Sequence, residues 1–598
     1  MVPFFRENHG YYYPESIYKK ETNPEKDAWC TTFFIENHLD YYAFPDHVAS
    51  PEQIRFMVYL EDTERFYPCS DDMFEMIMKR EKHAVLEAEY DKVLQKILRL
   101  IEHQIEEKKE RDYIRTLIAI KYNHDTRDGI MIPSRLAKRL FKIYVDRTQI
   151  EDPCGSEKEE RNRKILTGFR SDLFYKAINF FDDLSGMSHF DDIDVIKEQM
   201  DFIKLQRLIS FSVEHELWES DRLSRFGFSD YVNVCNRPIA GNGLENLRRF
   251  LSVRGNTGVK KILWLANEAG EILFDFAIIK YLVRLGHKVI IAVKEKSFFE
   301  KITIQDIEED PNLNAALNDA LVVKDGRLSK KSLAELLKGN QHIIVVSDGT
   351  REVVNLLMVS TTFARIFKEV DGVITKGLEQ YARFFNTHFK FTQDIFNFSK
   401  GQEGTVCVRY KPKHPNAVRF SHKELEERAE TIIQQMQNAK RDGMTIIFYS
   451  AIIGSIPGKI DMAKKIISVY IELLKKQYSK TFIINPSEYY VPGMDADDLM
   501  YMWEIVQRSG LIDIWHFQTY SDIMRAFQAM GTKIPPEWVG KDATFSTGCT
   551  KEMKIALEVQ KKHPEMQIIG PSKEKFFRRK DYGIGKMYDE CLCDICLP

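Results

Sequence analysis

Short, continuous apolar runs that alternate with helix-like stretches are the strongest constraint in this sequence. The runs lie at residues 261–266, 289–293, 342–346 and 372–375, and a helix-like stretch at 271–285 joins the first two. Gly286 follows that stretch and is a natural residue to end a helix. Parallel strands that are buried on both faces are apolar throughout, and a helix connects each strand to the next. The pattern therefore predicts a doubly wound parallel-sheet domain over residues 251–410.

The regions on either side of this domain have different patterns. Residues 1–250 are expected to be mainly helical, because residues 72–122 are rich in charge, lack Gly and Pro, and space apolar side chains three or four apart. The members of that apolar stripe are Leu86, Tyr90, Val93, Leu94, Ile97, Ile101 and Ile105. After a linker at 411–415, apolar runs at 445–449, 481–484 and 512–517 predict a second α/β domain over residues 416–590, which leaves a cysteine-containing tail at 591–598.

Composition excludes some classes of partner. The 598 residues are 44% hydrophobic, and Lys plus Arg (86) nearly balance Asp plus Glu (89). We therefore expect no binding to nucleic acid and none to membranes. The sequence has no secretory signal pattern, no apolar run long enough to span a bilayer, and an odd count of nine cysteines. We expect a cytoplasmic protein with reduced thiols.

Polar residues directly follow three of the predicted strands. Asn267 and Glu268 follow the first strand, Asp348 the third and Lys376 the fourth. Ligands of open parallel sheets bind at the carboxyl ends of the strands, where loops and helix N-termini converge. These residues therefore indicate a phosphate or metal pocket, or else they only cap the following helices.

Several pieces of the sequence resemble the core of one family. The central piece is Asn267-Glu268-Ala269-Gly270-Glu271 with Asp275 after it. It resembles the Asp-Asn-Ala-Gly-Glu and following Asp of the damage-control phosphatase family, known as domain of unknown function 89. Other matching pieces in the family's order are Asp152-Pro153, Lys158, Asn162, Gly241-Asn242, Gly286, Val289, Val293-Lys294, Thr303, Asp306 and 371–377. The resemblance covers roughly residues 27–405.

The resemblance implies a chemistry and a set of roles. Family members hold a divalent metal with an Asp-Asn pair and a second Asp, and they dephosphorylate sugar phosphates and related metabolites. The expected ligand is thus a small phosphorylated metabolite, and the expected cofactor is Mn, Co, Ni or Mg. The implied metal ligands are Asn267 and Glu268, the implied catalytic residues are Glu271 and Asp306, and the implied substrate-binding residues are Lys376, Lys301 and Asp348.

The match is incomplete where the metal should bind. Asn267-Glu268 replaces the Asp-Asn pair in swapped order, and Lys301 stands where the family has its second metal-binding Asp. A divalent ion repels a nearby ammonium. Two alternatives follow: a site rewired around Glu268, Glu300 or Asp348 that still hydrolyses a phosphate ester, or a noncatalytic relative that binds a phosphorylated ligand or serves as a scaffold. Either way, we expect the turns at Asn267, Asp348 and Lys376 to meet around one hollow that Lys301 reaches.

The C-terminal half offers weaker candidates. The segment 454–459 follows a strand and indicates a phosphate loop or a plain connection, but it lacks the spacing of a nucleotide-binding loop. The cysteines of the tail, Cys591, Cys593 and Cys596, indicate a soft-metal site or an unstructured end.

Overall fold

The structure is a computed structural model. It describes residues 23–39, 66–80, 84–128, 130–179, 193–252, 258–456, 459–489, 491, 494 and 496–577. The described residues fall into two compact units, one within 23–417 and the other within 418–577. Part of the predicted phosphate loop, residues 457–458, and the whole tail 591–598 lie outside the described residues.

The N-terminal part of the first unit is helical, as the sequence predicts. Its helices are α1 (Pro24–Glu36), α2 (Asp71–Met78), α3 (Ala84–Gln104), α4 (Lys108–Asn123), α5 (Pro133–Thr148), α6 (Gly155–Phe169), α7 (Asp172–Asn179), α8 (Ile193–Ser212), α9 (Glu216–Glu219), α10 (Phe228–Cys235) and α11 (Gly243–Leu251). The predicted stripe is the buried face of α3, where Leu86, Tyr90, Ile97 and Ile101 are inaccessible to solvent. Helix α3 ends at Gln104 and α4 begins at Lys108, so the segment 72–122 forms several helices.

An eight-stranded sheet forms the centre of this unit. Its strands are β1 (Ile239–Ala240), β2 (Lys261–Leu265), β3 (Lys288–Val293), β4 (Leu321–Val323), β5 (Ile343–Ser347), β6 (Gly372–Lys376), β7 (Asp394–Lys400) and β8 (Val406–Lys411). They lie in the order β1-β8-β7-β6-β2-β3-β5-β4, and each neighbouring pair is parallel except β7 and β8. The α/β prediction is confirmed, and β2, β3, β5 and β6 match the four apolar runs.

Helices connect these strands and cover the sheet. They are α12 (Glu271–Arg284), α13 (Ile304–Glu309), α14 (Pro311–Ala316), α15 (Lys330–Lys338), α16 (Thr361–Glu369) and α17 (Gly377–Phe384). The apolar helix α12 is buried along most of its length, and a single core joins it to β2, β3 and α8. Gly286 lies two residues beyond α12 with φ +91°, which confirms its predicted role at the helix end.

The second unit is a smaller α/β layer structure. Its strands are β9 (Thr445–Ser450), β10 (Thr481–Ile484), β11 (Ile514–Phe517) and β12 (Gln567–Ile569), and its helices are α18 (His422–Arg441), α19 (Ile460–Gln477), α20 (Ala496–Gln507), α21 (Tyr520–Ala529), α22 (Thr547–Lys562) and α23 (Lys573–Phe577). The strands are parallel in the order β10-β9-β11-β12. This confirms the second α/β pattern, to which the structure adds β12. None of the helices in the described ranges is long and apolar enough to cross a membrane.

Gly270 directly precedes α12 and lies in the turn that leads into this helix. Its φ is +82°, and a Cβ added there would lie 2.4 Å from the Cβ of Trp218. Its amide also donates to Oδ1 of Asn162 at 2.7 Å, which ties the turn to α6. A side chain at this position would therefore meet both backbone strain and a rigid neighbour.

Substitution of two glycines separates these effects. Position 286 has a positive φ, but a Cβ added there would have no neighbour closer than 3.9 Å. We therefore expect Gly286→Ala to lower the free energy of unfolding by about 1–2 kcal/mol, through backbone strain alone. Gly270→Ala should cost about 1–3 kcal/mol more, because Trp218 cannot yield at its Cβ. Denaturant unfolding monitored by tryptophan fluorescence measures both. Equal losses in the two variants would contradict the steric role of Trp218.

Candidate functional site

The loops after β2 and β3 are joined by their backbones at the carboxyl edge of the large sheet. The amide of Ile302 donates to the carbonyl of Asn267 at 3.2 Å, and that of Ala269 donates to the carbonyl of Glu300 at 3.0 Å. Glu268 and Lys301 therefore lie opposite each other in an antiparallel bridge. This pairing fixes the position from which the Lys301 side chain extends.

The Lys301 ammonium lies among three side-chain oxygens. Its Nζ is 2.5 Å from Asn267 Oδ1, 3.3 Å from Glu268 Oε1 and 3.5 Å from Glu379 Oε2. Burial alone would lower the pKa of Lys301, but the surrounding carboxylates, foremost Glu268, raise it above its usual value. Lys301 is thus a permanently charged cation held by one amide and two carboxylate oxygens.

Glu268, the carboxylate beside Lys301, lies near two further cations. Burial would raise its pKa, but Lys301, Lys96 and Arg161 together lower the pKa to about 2. Arg161 approaches the other carboxylate oxygen, with its Nη1 3.5 Å from Oε2. Lys96 pairs directly with the neighbouring Glu300, at 2.7 Å. Glu268 is therefore ionised at any physiological pH.

Lys376 lies in a second, fully buried network beside the first. Its Nζ contacts Asp275 Oδ1 at 2.8 Å, Glu271 Oε1 at 2.9 Å and the carbonyl of Ser212 at 2.9 Å. Glu271 in turn accepts from Asn267 Nδ2 at 2.9 Å, so the two networks are connected. Burial raises the pKa of Asp275 to about 6, against the opposing effect of Lys376. The three donors of Lys376 are all used within the fold.

Asp348 and Asp306 are held by other lysines. Asp348 accepts from Lys294 Nζ at 2.5 Å with one oxygen and from the amide and hydroxyl of Thr350 with the other. Burial raises the pKa of Asp348, although Lys294 opposes this. Asp306 caps α13 together with Thr303 and accepts from Lys158 Nζ at 2.6 Å. Both aspartates therefore stabilise loops at the carboxyl edge through local hydrogen bonds and ion pairs.

The structure brings most of the predicted site residues into one connected group. Asn267, Lys301, Glu271 and Lys376 form a continuous chain of contacts, and Glu268 adjoins it through Lys301. Asp348 contacts Lys294 and Thr350 instead of Lys301, and Asp306 contacts Lys158.

Sequence reasoning missed Arg161 and Glu379, which contact the site from α6 and α17. Arg161 lies three residues after Lys158 and directly before Asn162, both of which match the family, so its place beside two family residues was the available signal. Glu379 follows the family's Lys-Gly piece, but nothing local indicates that its carboxylate approaches Lys301.

The residues at the family's metal position do not fit a divalent ion. An ion bound to Asn267 and Glu268 would lie within about 4 Å of the Lys301 ammonium, which it would repel strongly. A second cluster consists of Cys154, Glu157 and Glu300, whose ligand atoms lie within 4.8 Å of one another. Its two carboxylates already pair with the cations Arg161 and Lys96, and its thiol is buried.

The buried pair of Lys376 and Asp275 yields a prediction about stability. Lys376→Met leaves two buried carboxylates without their cation, so we expect the free energy of unfolding to fall by about 3–5 kcal/mol. The double variant with Asp275→Asn should lose less than the sum of the single losses, by more than about 1 kcal/mol. The exposed pair Arg163–Glu160 is the control and should show no coupling. Additive losses at Lys376 and Asp275 would contradict the assignment.

Comparison with known proteins found similarity to a sequence profile, to a relative and to a solved structure. The sequence profile of the damage-control phosphatase ARMT1-like domain matches residues 74–429, more than half of the chain. An uncharacterized protein of Methanocaldococcus jannaschii is 24% identical over 162 residues, which are 27% of this chain and 44% of that relative, so the aligned part spans less than half of that relative's length. A crystal structure of a DUF89 family protein from Pyrococcus horikoshii aligns with 17% identity and a TM-score of 0.37, over 54% of this chain and 96% of that one. The extent of the profile match shows that the chain belongs to the damage-control phosphatase ARMT1-like family.

Proposed function

We propose that this chain binds a small phosphorylated metabolite at the carboxyl edge of its large sheet without a divalent metal, and that it does not hydrolyse that ligand. The observation that carries the proposal is the position of the Lys301 ammonium, among oxygens of Asn267, Glu268 and Glu379. A lysine ammonium is a compact charge that recognises phosphate.

Charge supports retention of ligand binding. In the family's site, the divalent cation and the second metal-binding Asp together carry a net charge of plus one. Lys301, which stands at the position of that Asp, carries the same charge as an ammonium. Lys301 therefore keeps the net charge that a metal-loaded family site presents to a phosphoryl group. Binding of a phosphorylated ligand can persist on this basis.

Hydrolysis would not persist in the same way. In metal-assisted hydrolysis the ion lowers the pKa of a bound water and so supplies the nucleophile. An ammonium coordinates no such water. The implied supporting groups are also occupied, because Asp306 pairs with Lys158, and both Glu271 and Asp275 pair with Lys376.

The proposal is tested with the purified chain in the presence of EDTA. Calorimetry with a panel of sugar phosphates should detect binding, metal analysis should find no stoichiometric divalent ion, and Mn, Co, Ni or Mg should stimulate no phosphatase activity. Lys301→Met should weaken binding at least about tenfold, since one charge contact is lost. Lys331→Met, at an exposed position, is the matched control and should bind as the wild type does.

One further substitution distinguishes this proposal from metal-dependent hydrolysis. Lys301→Asp places a carboxylate where the family has one, beside Asn267 and Glu268, so we expect this variant to bind Mn²⁺ that the wild type does not bind. Stoichiometric metal in the wild type, or metal-stimulated hydrolysis by it, would contradict the proposal. Absence of binding to the whole panel would favour the scaffold alternative.

A further inference from the structure

Glu268 is held by two cations, and neither holds it tightly. Lys301 lies 3.3 Å from one carboxylate oxygen and Arg161 lies 3.5 Å from the other. Charge-assisted hydrogen bonds between nitrogen and oxygen are usually about 2.7–2.9 Å long. Neighbouring pairs reach that range or less, such as Lys376 with Asp275 at 2.8 Å. Both contacts of Glu268 are therefore longer than most ion pairs of this region, as is the 3.5 Å contact of Lys301 with Glu379.

Arg161 has a donor available at this point. Only 8% of the residue is exposed, and its Nε and Nη2 both bond to Glu157 Oε1. Its Nη1, which faces Glu268, makes no hydrogen bond within the described part of the chain. A buried guanidinium nitrogen without a hydrogen bond is costly, so this geometry favours an additional acceptor.

A phosphoryl group cannot simply join this arrangement. A phosphate dianion placed between Lys301 and Arg161 would meet the Glu268 carboxylate at close range and be repelled by it, because that carboxylate lies 3.3 Å from Lys301 and 3.5 Å from Arg161. The Glu268 side chain is 22% exposed, whereas those of Lys301 and Arg161 are about half as exposed or less, so the carboxylate is the most exposed of the three groups.

We propose that Glu268 is an internal occupant of the anion site, which the phosphoryl group of the ligand displaces, so that Arg161 and Lys301 then hold the ligand from two sides. The inference rests on the proposed binding of a phosphorylated metabolite and adds its recognition group. A guanidinium offers paired donors that match phosphoryl oxygens, and the free Nη1 of Arg161 supplies one of them. In this account Glu268 competes with the phosphorylated metabolite. If Glu268 coordinated a metal ion, it would instead assist binding of that metabolite.

The sign of one substitution tests this inference. Titration calorimetry with inorganic phosphate and with glucose 6-phosphate, both in EDTA, measures affinity directly. Glu268→Gln keeps the shape and removes the competing charge, so we expect about tenfold tighter binding than in the wild type. Arg161→Gln should bind about tenfold more weakly. Arg163→Gln, two residues along the same helix and paired with Glu160 at the surface, is the matched control and should bind as the wild type does.

Each result has a distinct meaning. Unchanged or weaker binding by a folded Glu268→Gln variant would overturn the displacement of Glu268, while wild-type binding would leave the proposed function intact. Absence of binding by both the wild type and Glu268→Gln would overturn the proposed function itself. Where circular dichroism shows that Glu268→Gln does not fold, the arginine variants decide, and equal affinities of Arg161→Gln and Arg163→Gln would overturn the inference.

Discussion

The ammonium of Lys301 is the interaction on which the arrangement of the site depends. It joins the loop after β3 to Asn267 and Glu268 after β2 and to Glu379 on α17. A divalent ion in the same place would attract similar oxygen ligands, but it could be removed or exchanged, whereas the lysine is covalently part of the chain. The loops therefore carry a covalently attached cation at this place, which on the proposed function preorganises the site for its ligand.

Buried ion pairs join separate segments of the chain at this edge of the sheet. Lys376, Lys294 and Lys158 each neutralise carboxylates from another segment of the chain. Burying a charge costs several kcal/mol unless a partner offsets it, so each pair holds only when both of its segments are in place. The carboxyl ends of the strands are thereby fixed by mutual dependence, and Glu268, with its longer contacts, is the exception within that frame.

The features that the sequence predicts well are those with a local cause. Strands β2, β3, β5 and β6 are buried on both faces and are therefore apolar along most of their length, which makes them visible as runs. By contrast, β1 and β4 are too short to form a run, and β7 carries buried polar residues such as Asn397 and Ser399. The pairing of β1 with β8 joins segments far apart in the chain, and no local pattern records it.

The contacts of the site likewise divide into those that a local sequence pattern indicates and those that it does not. The rule that strand ends of a parallel sheet meet at one edge predicts that Asn267, Asp348, Lys376 and Lys301 lie together. Asn267, Lys376 and Lys301 do belong to one network, but Asp348 contacts Lys294 and Thr350 instead. The rule could not indicate that Lys376 uses its three donors within the fold, since Asp275 and Ser212 lie about 100 and 160 residues away in the chain. Arg161 was hidden for a similar reason, because a charged helix face is typical of solvent-exposed pairs and its contact with Glu268 spans two distant segments.

Recognition and hydrolysis of a phosphate ester depend on different properties of a cation. Recognition needs positive charge at a fixed place, which an ammonium supplies as well as an ion does. Hydrolysis also needs open coordination positions for water, which an ammonium lacks. If a lysine takes the place of a divalent ion together with its Asp ligand, the net charge that a phosphoryl group meets stays the same, while the coordination positions for water are lost.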